Sequence, residues 1–156
     1  MRAAVIPIVL AMTLIAGCTS AGPIQNSPVA NATRPADMFL LRSTTKTPDE
    51  VVAAIQAYAT ARNWNFLGAD RVNQGRVTLV KLCIPEVGRQ LWSVGLQVSA
   101  MLPCGNLGVY ETEGHTEISL LNPRYMAVLY PDPAVEQASA TAGPLLLEML
   151  NAVAAE

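Results

Sequence analysis

The sequence predicts one α+β domain in which an antiparallel sheet is covered on one face by helices. Three observations predict this class. The chain of 156 residues is 51% hydrophobic and 14% charged, which fits one domain with a single core. Its extended apolar segments include two pairs, each joined by a turn of hairpin length. Segments with helical spacing stand between and after those pairs, which gives the order strand, helix, two strands, short helix, two strands and terminal helix.

The first strand and the first helix are predicted from adjacent segments. Residues 38–45 carry an apolar run typical of a strand. Thr47 then suits a helix cap, Pro48 suits the first helical position, and Glu50 completes a capping box. The apolar residues that follow recur at helical spacing, so we expect this helix to end at about Arg62.

Two hairpins are predicted from alternating apolar residues around polar turns. The first pairs residues 64–72 with residues 76–84 around Asn73-Gln74-Gly75. The second pairs residues 107–111 with residues 115–121 around Thr112-Glu113-Gly114. We expect the strands of each hairpin to be antiparallel.

The remaining segments predict helices. A short helix is expected to begin at Pro85 and to run through Trp92, and residues 124–130 favour a helical turn or two. Residues 134–155 predict the last helix, in which Pro144 favours a kink or a division into two helices. The same periodicities predict a core. The side chains expected to be buried are Val51, Ile55, Leu107, Val109, Ile118, Leu120 and Leu146.

Residues 1–17 have the features of a lipoprotein signal peptide. Arg2 supplies a positive charge, and residues 3–15 form an apolar run that is too short to span a bilayer. The sequence Leu14-Ile15-Ala16-Gly17-Cys18 resembles the bacterial lipobox, so we expect cleavage before Cys18 and attachment of diacylglycerol and a further acyl chain such as palmitate to this residue. Two alternatives stay open: a secretory signal in which Cys18 is incidental, and a short anchor that is not cleaved.

The lipobox predicts a cellular location as well as a membrane anchor. Residues 18–36 contain three prolines among small and polar residues, which is typical of a flexible tether, and the folded domain is expected to cover residues 37–156. We expect the domain to lie in the periplasm, held to a lipid bilayer through Cys18. The residue after Cys18 is Thr19 rather than the aspartate of an inner-membrane retention signal, which favours the outer membrane.

Charge and motifs exclude several functions. The formal net charge is −2 without a block of basic residues, so a nucleic-acid partner is not expected. The sequence contains no glycine-rich phosphate loop, and we expect neither a nucleotide nor another cofactor. The only histidine is His115, which allows no two-histidine metal site. It could act as a base beside Glu117, but its place next to a hairpin turn favours a solvent-exposed residue. We therefore expect no metal and no catalytic residues.

Two segments together resemble a known family. They are Val80-Lys81-Leu82-Cys83-Ile84-Pro85 and residues 101–111, with Pro103-Cys104 before Val109-Tyr110-Glu111, followed by residues 116–123 ending in Asn122-Pro123. This pattern resembles the domain of unknown function 302 family, in its cysteine-containing branch, over roughly residues 38–152. The resemblance implies a curved antiparallel sheet of the TATA-binding-protein-like class and admits a homodimer. The chain departs from the family pattern at Gly105, where an arginine is frequent, and at His115, where a lysine is usual.

Cys83 and Cys104 remain as thiols once Cys18 is lipidated. In an oxidising compartment the default is a disulfide between them, which would stabilise the fold by about 3 kcal/mol. The alternatives are a redox-active pair, soft-metal ligands with Met101 and Met126 nearby, or unpaired thiols. All of these interpretations stay open at this point.

The sequence indicates a binding module more than an enzyme. Trp92, Tyr110 and Tyr125 are candidates for a ligand groove, with core packing as the alternative. Our leading hypothesis is a non-catalytic envelope lipoprotein that binds an unidentified protein or small molecule. The competing hypothesis is a thiol-redox, metal or haem protein that uses Cys83 and Cys104.

Overall fold

A five-stranded antiparallel sheet with helices on one face forms the domain. The computed structural model describes residues 37–101 and 107–155, so the predicted signal peptide, tether, Cys18 and Cys104 lie outside the described residues. The strand order is β1-β5-β4-β3-β2, where β1 is Phe39–Thr44 and β2 is Asn65–Val72. The other strands are β3 Val77–Cys83, β4 Leu107–Thr112 and β5 His115–Leu121. The predicted fold class is confirmed.

The first helix, α1 (Pro48–Ala61), begins at the predicted capping box. The Thr47 hydroxyl accepts a bond from the Glu50 N–H, and the Thr47 N–H donates to the Glu50 carboxylate at 2.7 Å. These bonds satisfy two groups that a helix start leaves without a partner. At the other end Asn63 adopts a φ of 55°, which stops the helix and turns the chain into β2.

Both predicted hairpins form. In the β4–β5 hairpin, Thr112 pairs with His115, so Glu113 and Gly114 make a two-residue turn with φ values of 49° and 83°. Two positive φ values in succession match the twist of the flanking strands. In the β2–β3 hairpin, Val72 pairs with Val77 across a longer turn.

The described residues also form four α-helices and one 3₁₀ helix. After α1 come α2 (Pro85–Trp92), the 3₁₀ helix Leu96–Met101, α3 (Arg124–Leu129) and α4 (Pro133–Ala154). All seven side chains that the sequence places in the core are buried. Among the described residues, no helix is both long enough and apolar enough to cross a bilayer.

The terminal helix was predicted to have a kink at Pro144 or to divide there into two helices. The structure has a single helix from Pro133 to Ala154, with Pro144 inside it, so the division into two helices is wrong. Pro144 is exposed and follows Gly143, which has no Cβ to meet the proline ring. The glycine therefore removes the Cβ contact that helps to keep a residue before proline out of helical geometry.

The register also contains a bulge that the periodicity does not predict. Phe66 pairs with Leu82 and Gly68 pairs with Lys81, so Leu67 is the extra residue in β2. Phe66 consequently packs against the core, whereas Leu67 is exposed. The bulge shifts the inward and outward alternation of β2 by one position.

Candidate functional site

Two adjoining cavities lie at one end of the sheet. This end is formed where β1 runs into α1 and where the β2–β3 and β4–β5 turns lie, because β5 starts opposite the end of β1 and Val77 pairs with Tyr110. The larger cavity measures about 510 Å³ and the smaller about 410 Å³, and both include Thr47 and Glu111. We call the two cavities together the end cleft. Its larger part falls in the size range of small-molecule sites.

The larger cavity is lined by three parts of the chain. Its residues are Thr47, Pro48 and Asp49 at the start of α1, Arg71, Asn73, Gly75, Arg76, Val77 and Thr78 around the first hairpin turn, and Val109, Tyr110 and Glu111 in β4. Hydroxyl, amide and guanidinium groups therefore lie around the same space as the apolar Val77. This mixture suits a small polar molecule or a peptide group.

The smaller cavity adds the second hairpin turn. It is lined by Thr45, Lys46, Thr47, Glu111, Thr112, Glu113, Gly114, His115 and Thr116. His115, which the sequence analysis favoured as exposed, is half-buried here. The cavity thus combines the only histidine with hydroxyl groups and two carboxylates.

Several charged groups of the end cleft are engaged in structural contacts. Arg71 donates to both carboxylate oxygens of Asp49, at 2.7 and 2.9 Å. Lys46 donates to the carbonyl oxygens of Val153 and Ala155 and so caps the C-terminus of α4. Ion pairs this exposed contribute little energy, but they fix the orientation of the side chains.

Glu50 is likewise occupied by the helix cap. The bond from the Thr47 N–H, assisted by the Thr47 hydroxyl, lowers the pKa of the Glu50 carboxyl below its ordinary value. Hydrogen bonds to the charged form favour that form. The carboxylate next to the cleft is therefore held ionised by its role in the cap.

Arg76 differs from Arg71 in its contacts. It lies in the turn that follows Gly75, is exposed, and forms no ion pair within the described residues. A guanidinium group offers donors in a fork that matches a carboxylate or a phosphate. Arg76 is the cleft residue best suited to hold an anionic group of a ligand.

The three aromatic residues predicted to line a groove lie on three different elements. Tyr110 is in β4 and lines the larger cavity, whereas Trp92 is the last residue of α2 and Tyr125 is in α3. Tyr110 donates a hydrogen bond to Glu117 on β5, and this bond raises the pKa of the Tyr110 phenol. Of the three candidates, the structure brings only Tyr110 to the end cleft.

Cys83 lies half-buried at the end of β3. Its Sγ is 3.6 Å from the position that a Cβ on Gly88 would take, and Trp92 Nε1 is 3.3 Å from the same position. The thiol therefore packs beside α2, away from the hairpin turns. Among the described residues, no group of three or more histidine, cysteine, aspartate or glutamate side chains is arranged to hold a metal ion.

Most residues of the end cleft could not be predicted from the sequence. Four of its polar residues lie far in sequence from the second hairpin, and no short motif connects them with that hairpin. They are Lys46, Arg71, Asn73 and Arg76. The available signal was topological, because the predicted helix start and both predicted turns fall at one end of an antiparallel sheet with this strand order.

Comparison with known proteins identifies the family and supports the fold. The chain is similar to the crystal structure of an uncharacterized conserved DUF302 protein from Bacillus stearothermophilus, with a TM-score of 0.63 and 19% sequence identity. The similarity covers 76% of this chain and 97% of that chain. A search of curated proteins finds none that matches. Residues 41–153 match the family described as Domain of unknown function DUF302, and the chain therefore belongs to the DUF302 family.

Proposed function

We propose that this protein is a non-catalytic binding module held at a bacterial membrane by a lipid on Cys18, with its domain in the periplasm. The observation that carries the binding function is the end cleft, whose larger cavity measures about 510 Å³ and is lined in part by Arg76. The lipobox in residues 14–18 supports the anchor and the location. By the same argument from the residue after Cys18, the outer membrane is the expected membrane.

The contacts in the end cleft favour binding over acid or base catalysis. A nucleophile or general base needs a partner that orients it at hydrogen-bond distance. The contacts of Asp49, Glu50 and Lys46 run instead to an ion pair, a helix cap and helix carbonyl groups. Such groups shape a site, while Arg76 and the threonine hydroxyls supply its specificity.

The anchor is tested by Cys18→Ala in the full-length protein. We expect the wild-type protein to incorporate labelled palmitate and to remain with membranes in high salt. The variant should do neither, while its circular dichroism stays that of a folded domain. A variant that still sediments with membranes in high salt would contradict the anchor.

The cleft is tested by comparing what copurifies with matched variants. The full-length lipoprotein would be purified from membranes as the wild type, as Arg76→Glu and as Arg89→Glu, and its bound small molecules would be identified by mass spectrometry. Arg89 is an exposed arginine on α2 and does not line the cleft. We expect a molecule that is retained by the wild type and by Arg89→Glu but lost from Arg76→Glu; equal retention by both variants would contradict the cleft as the binding site.

A further inference from the structure

Two of the most exposed apolar side chains stand together at the end of α3. Val128 and Leu129 are each 71% exposed. They follow Tyr125 by three and four residues, so all three side chains lie on one face of the helix. Met126, on an adjacent side of α3, is buried in the core. We call Tyr125, Val128 and Leu129 the α3 patch.

The α3 patch lies beside the point where the N-terminal chain enters the domain. The Tyr125 hydroxyl donates to the Asp37 carboxylate at 2.9 Å, and the Asn122 side chain donates to the Asp37 carbonyl oxygen at 3.0 Å. Arg124 forms an ion pair with the same carboxylate. These contacts fix the first described residue against the start of a helix that is only six residues long.

The position of Asp37 indicates which surface the α3 patch contacts. Residues 19–36 join Asp37 to Cys18, and a chain of this length and composition spans on the order of 23 Å. A lipid on Cys18 therefore holds this side of the domain within a short distance of the bilayer. Tyrosine and aliphatic side chains partition into the interfacial region of a membrane.

The direction of β1 shows where the α3 patch lies relative to the end cleft. β1 starts at Phe39, beside the α3 patch, and ends at Thr44, beside the end cleft. A strand of six residues spans about 20 Å, so the patch and the cleft lie at opposite ends of the sheet. Contact of the patch with a bilayer leaves the cleft open toward the aqueous side.

We propose that the α3 patch docks on the phospholipid surface to which the chain is anchored. This inference rests on the proposed lipid anchor. The occupant of the patch is the interfacial region of the bilayer, and docking sets the orientation of the domain on the membrane. The anchor holds the protein at the membrane, and the patch determines which side faces it.

The test uses tryptophan at the patch and at a matched control position. Leu129→Trp and Val72→Trp would be made in the full-length lipidated chain, since Val72 is 37% exposed and is the last residue of β2, at the end of the sheet that carries the end cleft. Each protein would be reconstituted on vesicles of phosphatidylethanolamine and phosphatidylglycerol, with and without bromine on the acyl chains. The parent protein, with Trp64 and Trp92, supplies the background emission.

We expect bromine to quench the added tryptophan at position 129 by roughly half and to leave the one at position 72 unchanged, because interfacial side chains enter the boundary of the acyl region. Equal quenching at the two positions, or none at position 129, in protein that floats with the vesicles would overturn the docking while the anchor stands. Protein that fails to float would overturn the anchor and the docking with it.

A second measurement separates a bilayer from a second copy of the chain. Sedimentation equilibrium of the unlipidated Cys18→Ser chain should show a monomer, both with Leu129 and with Leu129→Glu. A dimer that Leu129→Glu dissociates would assign the patch to self-association and overturn the membrane contact. Because Leu129 is exposed, thermal melting followed by circular dichroism should show the same fold in both chains.

Discussion

Thr47 is the residue at which local sequence has its clearest structural effect. Its hydroxyl accepts the Glu50 N–H at the start of α1, so Thr47→Ala leaves that donor without its side-chain partner. We expect Thr47→Ala to lower the free energy of unfolding by about 1 kcal/mol, as measured by urea denaturation. Pro48→Ala serves as the control and should change little, since the first helical position needs no N–H partner. Equal losses in the two variants would contradict this account of the cap.

Glu50 gives the cap a dependence on pH. The Thr47 N–H and hydroxyl lower the pKa of Glu50 below its ordinary value of 4.5. The stabilising contribution of the carboxylate is therefore complete above that value and is lost as the pH falls through the folded pKa. Glu50→Gln keeps an oxygen acceptor but does not titrate, so its difference from the wild type in the free energy of unfolding should shrink in acid. A difference that stays constant from neutral pH to about pH 3 would refute the linkage.

At the residue scale, the cap could be predicted from the sequence but the end cleft could not. The cap involves only residues 47–50, whose identities determine the hydrogen bonds. The cleft joins Thr47, Arg76 and Glu111, which approach one another only after the strands have paired. The aromatic ring of Tyr110 makes it a candidate in the sequence, whereas no local pattern indicates that Arg76 lines the same cavity.

Helix α4 continues through Pro144, a residue that disfavours helical structure. α4 continues from Pro133 to Ala154 although Pro144 supplies no N–H, and Leu146, Met149 and Leu150 remain buried on its inner face. Tertiary packing therefore outweighs the local cost of the proline. The sequence favoured a kink or two helices because propensity is visible in the sequence and the packing is not.

Replacement of this proline should stabilise the domain. Pro144 is exposed, so Pro144→Ala restores a helical N–H without changing the core. The gain in helix propensity, about 3 kcal/mol, is reduced by the greater freedom of the unfolded chain, which leaves an increase of about 1 to 2 kcal/mol in the free energy of unfolding. Pro133→Ala, at the first position of the same helix, should have little effect. Thermal and urea denaturation of the two variants would measure this, and a less stable Pro144→Ala protein would refute it.

The elements themselves were largely predictable, whereas their arrangement was not. Alternation and turn residues located all five strands, as in the Glu113-Gly114 turn with its two positive φ values. The order that places β1 beside β5 depends on contacts between distant segments, such as Phe39 with Leu121. The bulge at Leu67 escaped prediction because an inserted residue leaves the apolar composition of a strand unchanged.

At the scale of the whole molecule, the two ends of the sheet have different properties. One end carries the end cleft with Arg76, and the other carries Asp37 and the exposed apolar residues of α3. A sheet is rigid enough to hold such features at a fixed separation. In the proposed orientation, the strands act as a spacer that presents the cleft away from the membrane.

Cys83 lies at the same end of the sheet as Asp37, and we predict a disulfide between it and Cys104. The register of β3 and β4 pairs Val80 with Leu107; Cys83 follows Val80 by three residues, and Cys104 precedes Leu107 by three. Because Cys104 lies outside the described residues, the disulfide stays a prediction: it rests on the two thiols and the oxidising compartment, and it requires a Cα separation of about 4.4 to 6.8 Å.

We therefore expect the unlipidated Cys18→Ala protein to have no reactive thiol until it is reduced, and to lose about 3 kcal/mol of unfolding free energy on reduction. Cys83→Ser is the control: it should expose one reactive thiol, from Cys104, and its stability should not respond to reductant. Two thiols that titrate without reductant, together with bound copper or haem, would instead favour the redox or metal function. A reduction potential below about −300 mV would place the bond among structural disulfides, because strained or functional pairs are reduced more easily.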